Sequence, residues 1–252
     1  MEHCPAMEGP ADLVRRAVGA ASRRSGRPEL LAAFYPQAAQ ILREEIAIGA
    51  ILAGVLRSDS MFVDVGTNRG QILRDAVRLA PAGRHLAFEP IPALAAELAR
   101  SFPGVDCRQL ALGAGPDVAE FCHFTALDGW SGLRRSPEIS DERGHPQYIQ
   151  VQVSTLDAEL SDLLASVIKI DVEGAELQVL EGARAVLSRA NPIVVFEHVA
   201  AAARLYGSQP GSLWDLFSEL GYRVFAITGD GPIARSTFTD NTTVINWLAT
   251  PG

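Results

Sequence analysis

Short apolar runs separated by amphipathic stretches recur along the chain from Met61 onward. Met61–Val65, His85–Phe88, Val105–Leu112, Val167–Ile170 and Ile193–Phe196 read as strands apolar on both faces. Between them, Gln71–Leu79, Ala93–Ser101 and Ala175–Ser188 repeat their apolar residues at helical spacing. Strands without an alternating polar side belong to a parallel sheet covered by helices on both faces, so the pattern predicts a doubly wound α/β fold. Right-handed crossovers then gather ligands at the carboxyl ends of the strands.

Two further strands, Val118–Phe124 and Tyr148–Val153, flank a polar segment from Thr125 to Gln147. A connection of that length inside a compact domain is expected to be functional or disordered. Near the end, Ser212–Leu220 is expected as a helix, with Ser212 and Asp215 at capping positions and Gly221 just beyond it. The strands Tyr222–Ile227 and Thr243–Leu248 then predict a closing hairpin. Ahead of the alternating region, residues 1–28 form an Ala-, Arg-, Gly- and Pro-rich lead-in expected to hold one short helix. Leu30–Leu56 carries Leu31, Phe34, Ala38, Ile41, Leu42 and Ile46 at helical spacing, with breaks expected at Pro36 and Gly49. The chain therefore divides into a helical extension, residues 1–57, acting as a lid or a homodimer contact, and one α/β domain, residues 58–252.

Composition narrows the classes. A chain of 252 residues with 48% hydrophobic content supports one substantial core. Its net charge of −8 disfavours a nucleic-acid partner, which calls for a basic face. Cys4, Cys107 and Cys122 form neither a close pair nor a metal-ligand spacing, as expected in a reducing, cytoplasmic setting. Met1-Glu2-His3-Cys4-Pro5 lacks the features of a signal peptide. The most apolar run, Ile46–Leu56, falls short of the ~18 residues a membrane span needs.

The chemistry centres on Phe62-Val63-Asp64-Val65-Gly66-Thr67-Asn68-Arg69-Gly70, where a strand enters a glycine turn and a helix follows. Gly66 and Gly70 allow a tight turn and close approach of a ligand, while the helix points free N–H groups into the same crevice. Glu89 ends the next strand about 20 residues on, where an acidic side chain reaches ribose hydroxyls. Ala111-Leu112-Gly113 ends the third strand, placed to flank an adenine. A dinucleotide fits less well. Its Gly-x-Gly-x-x-Gly pattern has Asn68 at the middle position here, and no Tyr-x-x-x-Lys pair follows the crevice. Asp64 favours a cationic ligand over a phosphate, which points to S-adenosylmethionine, with Asp64, Gly66, Asn68, Gly70 and Glu89 as its contacts.

The turn, Phe88-Glu89-Pro90, Ser154-Thr155-Leu156-Asp157 and Ile168-Lys169-Ile170-Asp171-Val172-Glu173-Gly174-Ala175-Glu176 together resemble the motifs of FkbM-type methyltransferases. The resemblance covers roughly residues 60–228 and implies a class I, Rossmann-like methyltransferase fold with an antiparallel last strand. It further implies methyl transfer to oxygen atoms of sugars and natural products.

Transfer to a hydroxyl requires positioning and a route for its proton, by a general base or a cation that lowers its pKa. Asp171 ends the fourth strand, and Glu197 and His198 end the fifth. Related class I sugar O-methyltransferases place a divalent metal there, which makes Asp171, Glu197 and His198 the expected ligands. Mg²⁺ prefers oxygen, whereas His198 suits Mn²⁺ or Zn²⁺ better. Without a metal, Asp171 would fix cofactor or acceptor, and Glu197 a substrate hydroxyl. His145, on the polar segment, is the expected base and His123 the weaker candidate. Trp130-Ser131-Gly132 is expected to cover the cofactor, Ser131 among its contacts, or to stack on a sugar ring. Glu173 is a weaker acceptor contact, and Glu176 is expected to be structural. The leading expectation is an S-adenosylmethionine-dependent O-methyltransferase for a sugar or glycoside, most specifically a methylmannoside. A nicotinamide-dependent oxidoreductase and a non-catalytic domain on a methyltransferase fold are the alternatives.

Overall fold

The computed structural model describes residues 36–252. The short helix expected before residue 28, the positions Leu31 and Phe34, and Cys4 lie outside the described residues. The chain divides into two compact units, Met1–Ile48 and Gly49–Gly252. Helix α1 runs unbroken over Pro36–Val55, so neither expected break occurs. Pro36 takes the first helical position, where its missing N–H has no acceptor to lose. Gly49 has open space around its Cα.

The second unit is built on strands β1 (Phe62–Val65), β2 (His85–Phe88), β3 (Val105–Arg108), β7 (Val167–Ile170), β8 (Ile193–Glu197), β9 (Tyr222–Ala226) and β10 (Asn246–Pro251). Their order across the sheet is β3-β2-β1-β7-β8-β10-β9. The first five are parallel, while β10 runs antiparallel between β8 and β9. This is the doubly wound, mostly parallel sheet with an antiparallel last strand that the sequence and its resemblance predict. Every residue of β1, β2 and β7 is buried, which explains their unbroken apolar reading. The order of strand succession across the sheet reverses between β1 and β7, so a crevice opens at their carboxyl ends.

The helices of this unit that bear on the site are α2 (Gln71–Leu79), α3 (Pro92–Ser101), α4 (Asp141–Gly144), α5 (Leu156–Leu160), α6 (Glu176–Glu181), α7 (Arg184–Ala190), α8 (Ala200–Leu205), α9 (Ser212–Glu219) and α10 (Arg235–Thr239). A main core holds Val63, Val65, Ile168, Ile170, Val194 and Phe196 against Val179, Leu187, Phe217 and Trp247.

Three elements depart from the linear reading. Val105–Leu112 is two strands: β3 stays in the large sheet, and β4 (Ala111–Leu112) joins a second sheet of order β4-β6-β5. There, β5 (Asp117–Phe124) pairs antiparallel with β6 (Pro146–Ser154), and Ala111 packs with Ile91, Phe121 and Val151. The long helix expected over Ala175–Ser188 is split into α6 and α7 at Gly182. A Cβ there would lie 2.1 Å from the Gly113 carbonyl oxygen, and Asp157 accepts from the N–H groups of Ala185 and Val186 to start the new helix. At α9 the residue before the helix is Gly211, in a left-handed conformation, and Asp215 pairs with Arg235 instead of capping.

Candidate active site

The glycine turn takes its shape from three left-handed residues, Gly66 at φ +76°, Asn68 at φ +49° and Gly70 at φ +70°. Gly66 must be glycine for a second reason: a Cβ would stand 1.8 Å from the carbonyl oxygen of Asp171. The ends of β1 and β7 thus meet backbone to backbone at the crevice floor. The Gly66 and Thr67 N–H groups both donate to the Phe88 carbonyl, at 3.0 and 3.1 Å, which ties the turn to β2. Glu89 completes the tie. Its Oε2 accepts from Asn68 N–H at 2.8 Å and its Oε1 from Ile91 N–H at 2.9 Å. Burial pushes this carboxyl up to about 7 against the pull of those two donors. Glu89 therefore shapes the turn, in addition to the ribose contact expected of it.

Asp64 lies below the turn, 1% exposed, with neither carboxylate oxygen hydrogen-bonded among the described residues. Burial raises its pKa, and the nearby Lys169 ammonium opposes that shift. Lys169, a lysine inside the apolar strand Val167-Ile168-Lys169-Ile170, is a further functional residue, and its charge in that strand is the signal the sequence carries for it. Its Nζ donates to the Gly66 carbonyl at 3.0 Å and lies 3.5 Å from Asp64 Oδ1 and 3.2 Å from Asp171 Oδ2. Burial pulls the lysine pKa down, but Asp171 and Asp64 outweigh it and keep the ammonium charged.

Asp171, one third exposed, opens a cluster at the crevice mouth. Carboxylate oxygens of Asp171, Glu173 and Glu197 lie within 4.8 Å of one another. Desolvation first, then the like charges of Asp171 and Glu173, holds the Glu197 pKa well above the ordinary carboxylate value. Glu173 reaches the cluster from a left-handed backbone, φ +57°, followed by Gly174 at φ +107°. Such a conformation in a non-glycine residue needs a support, and Glu176 supplies it: its Oε1 accepts from Val172 and Gly174 N–H groups at 3.2 and 3.0 Å. Glu176 is 1% exposed, its other oxygen has no partner among the described residues, and burial pushes its pKa up to about 7.

The third member of the cluster differs from the expected trio. His198 follows Glu197 on the strand and turns its ring away, stacking on Phe238 at 5.1 Å with an interplanar angle of 14°. Burial lowers its pKa, and its Nδ1 has no partner among the described residues. Glu173 occupies the place assigned to it. The local reason is parity: Phe196 and His198 share the face that carries the main core, whereas Glu197 points to the other.

His145 is exposed at the left-handed end of α4, φ +49°, where its carbonyl accepts from the N–H and hydroxyl of Thr125. Its ring makes no hydrogen bond or ion pair with the acidic cluster. His123 instead engages Asp128 at 3.0 Å, and Asp128 pairs with Arg69 of the glycine turn at 2.5 Å. The polar segment is thereby anchored over the turn. Ser131 is buried, with its Oγ accepting from Phe124 N–H at 3.0 Å, and Trp130 packs on Cys122, Phe124 and Ile139. On the opposite side, the Tyr206 hydroxyl accepts from Arg134 N–H at 3.0 Å. A Cβ on Gly132 would lie 3.1 Å from that hydroxyl and 3.6 Å from Glu173 Cβ. The segment thus spans from the turn to the acidic cluster. Of the expected site residues, the structure brings together Asp64, Gly66, Asn68, Gly70, Glu89, Asp171 and Glu197; His145 and His198 stand apart. Among the described residues, Cys107 and Cys122 are free thiols, and no helix is long and apolar enough to cross a membrane.

A family model described as the methyltransferase FkbM domain matches residues 64–224. Methyltransferase 1 of Beauveria bassiana (strain ARSEF 2860) is 29% identical over 145 residues, covering 49% of this chain and 58% of the relative. Methyltransferase sdnD of Sordaria araneosa is 29% identical over 159 residues, covering 50% of this chain and 61% of the relative. The chain spans about three fifths of the length of these curated relatives. Among solved structures, the methyltransferase FkbM of Methylobacillus flagellatus KT aligns at 18% identity and a TM-score of 0.49, over 95% of this chain and 60% of that one.

Proposed function

The chain belongs to the FkbM methyltransferase family, and from that premise we propose an S-adenosylmethionine-dependent O-methyltransferase acting on a hydroxyl of a sugar or glycoside. One observation carries the reading: the carboxylates of Asp171, Glu173 and Glu197 converge where the end of β7 meets the glycine turn. The turn seats the donor. Its left-handed glycines leave room for close approach, and the acidic surroundings favour a cation over a phosphate. The cluster seats the acceptor, since carboxylates take the hydrogen bonds of a polyhydroxylated ring.

In the transfer, a lone pair of the acceptor oxygen forms the new bond to the methyl carbon. The carbon–sulfur bond breaks, and its electrons stay on sulfur as the neutral thioether product. The acceptor proton passes to a carboxylate. Glu197 suits this role, because a pKa raised by burial and like charge makes a carboxylate a stronger base near neutrality. The base role expected of His145 passes to Glu197 in this reading, because Glu197 belongs to the carboxylate cluster and the exposed His145 does not. Trp130–Gly132 and Tyr206 wall the acceptor side. In this reading residues 58–252 are the transferase domain, residues 1–57 serve as a lid or dimer contact, and the free thiols of Cys107 and Cys122 suit a cytoplasmic setting.

The same all-oxygen donor set fits a hard divalent cation, Mg²⁺ or Mn²⁺, held by Asp171, Glu173 and Glu197. Bound there, such an ion would lower the pKa of a coordinated hydroxyl.

Calorimetric titration with S-adenosylmethionine and with NAD, followed by labelled-methyl transfer to a panel of methyl hexosides with and without EDTA, tests the whole reading. Saturable binding of the sulfonium donor alone and transfer to a hexoside hydroxyl are expected. Binding of NAD in its place would overturn the donor assignment. Activity that EDTA abolishes and one divalent ion restores would establish the metal; full activity after exhaustive chelation would remove it.

A further inference from the structure

Lys169 does more than fill a buried position. It is the single cation within ion-pair distance of the crevice aspartates among the described residues, and its three partners belong to two different parts of the site. The Gly66 carbonyl and Asp64 lie on the donor side, at 3.0 and 3.5 Å. Asp171, at 3.2 Å, is shared with the acidic cluster at the mouth. Strand pairing fixes this arrangement, because Lys169 stands opposite Asp64 in the parallel register of β1 and β7. The lysine side chain is 11% exposed and Asp64 is 1% exposed, whereas Asp171 is 34% exposed and faces the crevice. A bound cation and the Lys169 ammonium therefore compete for one accessible carboxylate.

We infer that Lys169 is a positioning residue that sets how strongly the crevice distinguishes the cationic methyl donor from its neutral demethylated product. By holding Asp171 in an ion pair, it moderates the attraction to the sulfonium of the donor. It also fixes the Gly66 carbonyl, and with it the turn on which both ligands lie. The two ligands differ by one methyl group and one positive charge at sulfur. Loss of the Lys169 ammonium frees Asp171 for the sulfonium, which the donor carries and the product does not. Loss of the turn anchor falls on both ligands equally. The inference rests on the proposed sulfonium donor.

The test is calorimetric titration of the full chain with S-adenosylmethionine and S-adenosylhomocysteine, in EDTA, for wild type, K169M and K169R. Lys169→Met should weaken product binding and raise the ratio of product Kd to donor Kd by about tenfold, the scale of one nearby charge in a partly screened site. Lys169→Arg keeps the charge and should keep the ratio. Should K169M not fold, the comparison is repeated as D64N/K169M against D64N, where the buried carboxylate facing the lysine is gone; the same rise is expected. Equal changes for both ligands, or no change, in the folded variants would overturn the inference and leave the donor assignment standing. A wild-type chain that binds neither ligand would overturn both.

Discussion

Glu176 shows what burial does to one side chain at this site. Its carboxyl accepts two backbone N–H groups through one oxygen, while the other is sealed from water without a partner among the described residues. Desolvation dominates and pushes the carboxyl up to about 7 from the ordinary 4.5. The folded chain therefore binds this proton more tightly than the unfolded chain. The associated stability is fully present below about pH 4.5 and is lost as pH rises through about 7. A shift of this size corresponds to on the order of 3 kcal/mol between the two ends of that window. Glu176→Gln keeps the accepting oxygen and removes the titration. Thermal melts of the two proteins from pH 5 to pH 8 should show the wild type losing stability relative to E176Q as pH rises. Parallel curves would count against a buried, protonated Glu176. At this scale the sequence showed residue types well and their partners poorly. Glu173 and Glu176 sit in one short motif, yet only the folded loop makes one a cluster member and the other its support. Lys169 was visible as a charge in an apolar strand, but its three partners come from positions far apart in the chain.

At the scale of elements, the strand-turn-helix from Phe62 to Leu79 was legible because its causes are local. Four buried apolar-run positions, left-handed glycines and an amphipathic helix need little context. What the local pattern could not contain is the opposing surface. Gly66 is required both by its positive φ and by the Asp171 carbonyl against it. Gly66→Ala should destabilise the fold by roughly 2–4 kcal/mol, since strain and overpacking act together. It should also abolish donor binding. Chemical denaturation and calorimetry of G66A check both, and a variant with unchanged stability would contradict the close approach. The elements misread from sequence share one physical cause. Position 182, where helix α6 ends, admits only glycine because the Gly113 carbonyl stands against it, Asp157 starts the next helix, and Val105–Leu112 divides because its second half pairs with β6. Contacts distant in sequence overrode a continuous local preference.

The second unit closes through its last strand. β10 lies between β8 and β9, and Trp247, 2% exposed, packs on Phe238 with ring centroids 4.6 Å apart. Removing residues 246–252 would leave β9 without a strand partner and open the core beside Phe196. The truncated chain should lose its cooperative thermal transition and its near-ultraviolet circular dichroism. A sharp melt in the truncated protein would show that β10 is dispensable. The sequence by itself determined the class of this molecule. Fully buried parallel strands, helical periodicity and the glycine turn are written in residue order, because each follows from short-range sterics and from which side chains avoid water. It also determined which acidic residues stand at strand ends. The tertiary structure decided which of them meet. Strand order brings Asp64, Lys169 and Asp171 to the junction of β1 and β7, and strand parity admits Glu197 while turning His198 onto Phe238. Coulombic interaction and desolvation depend on distance through space, and only the fold sets that distance.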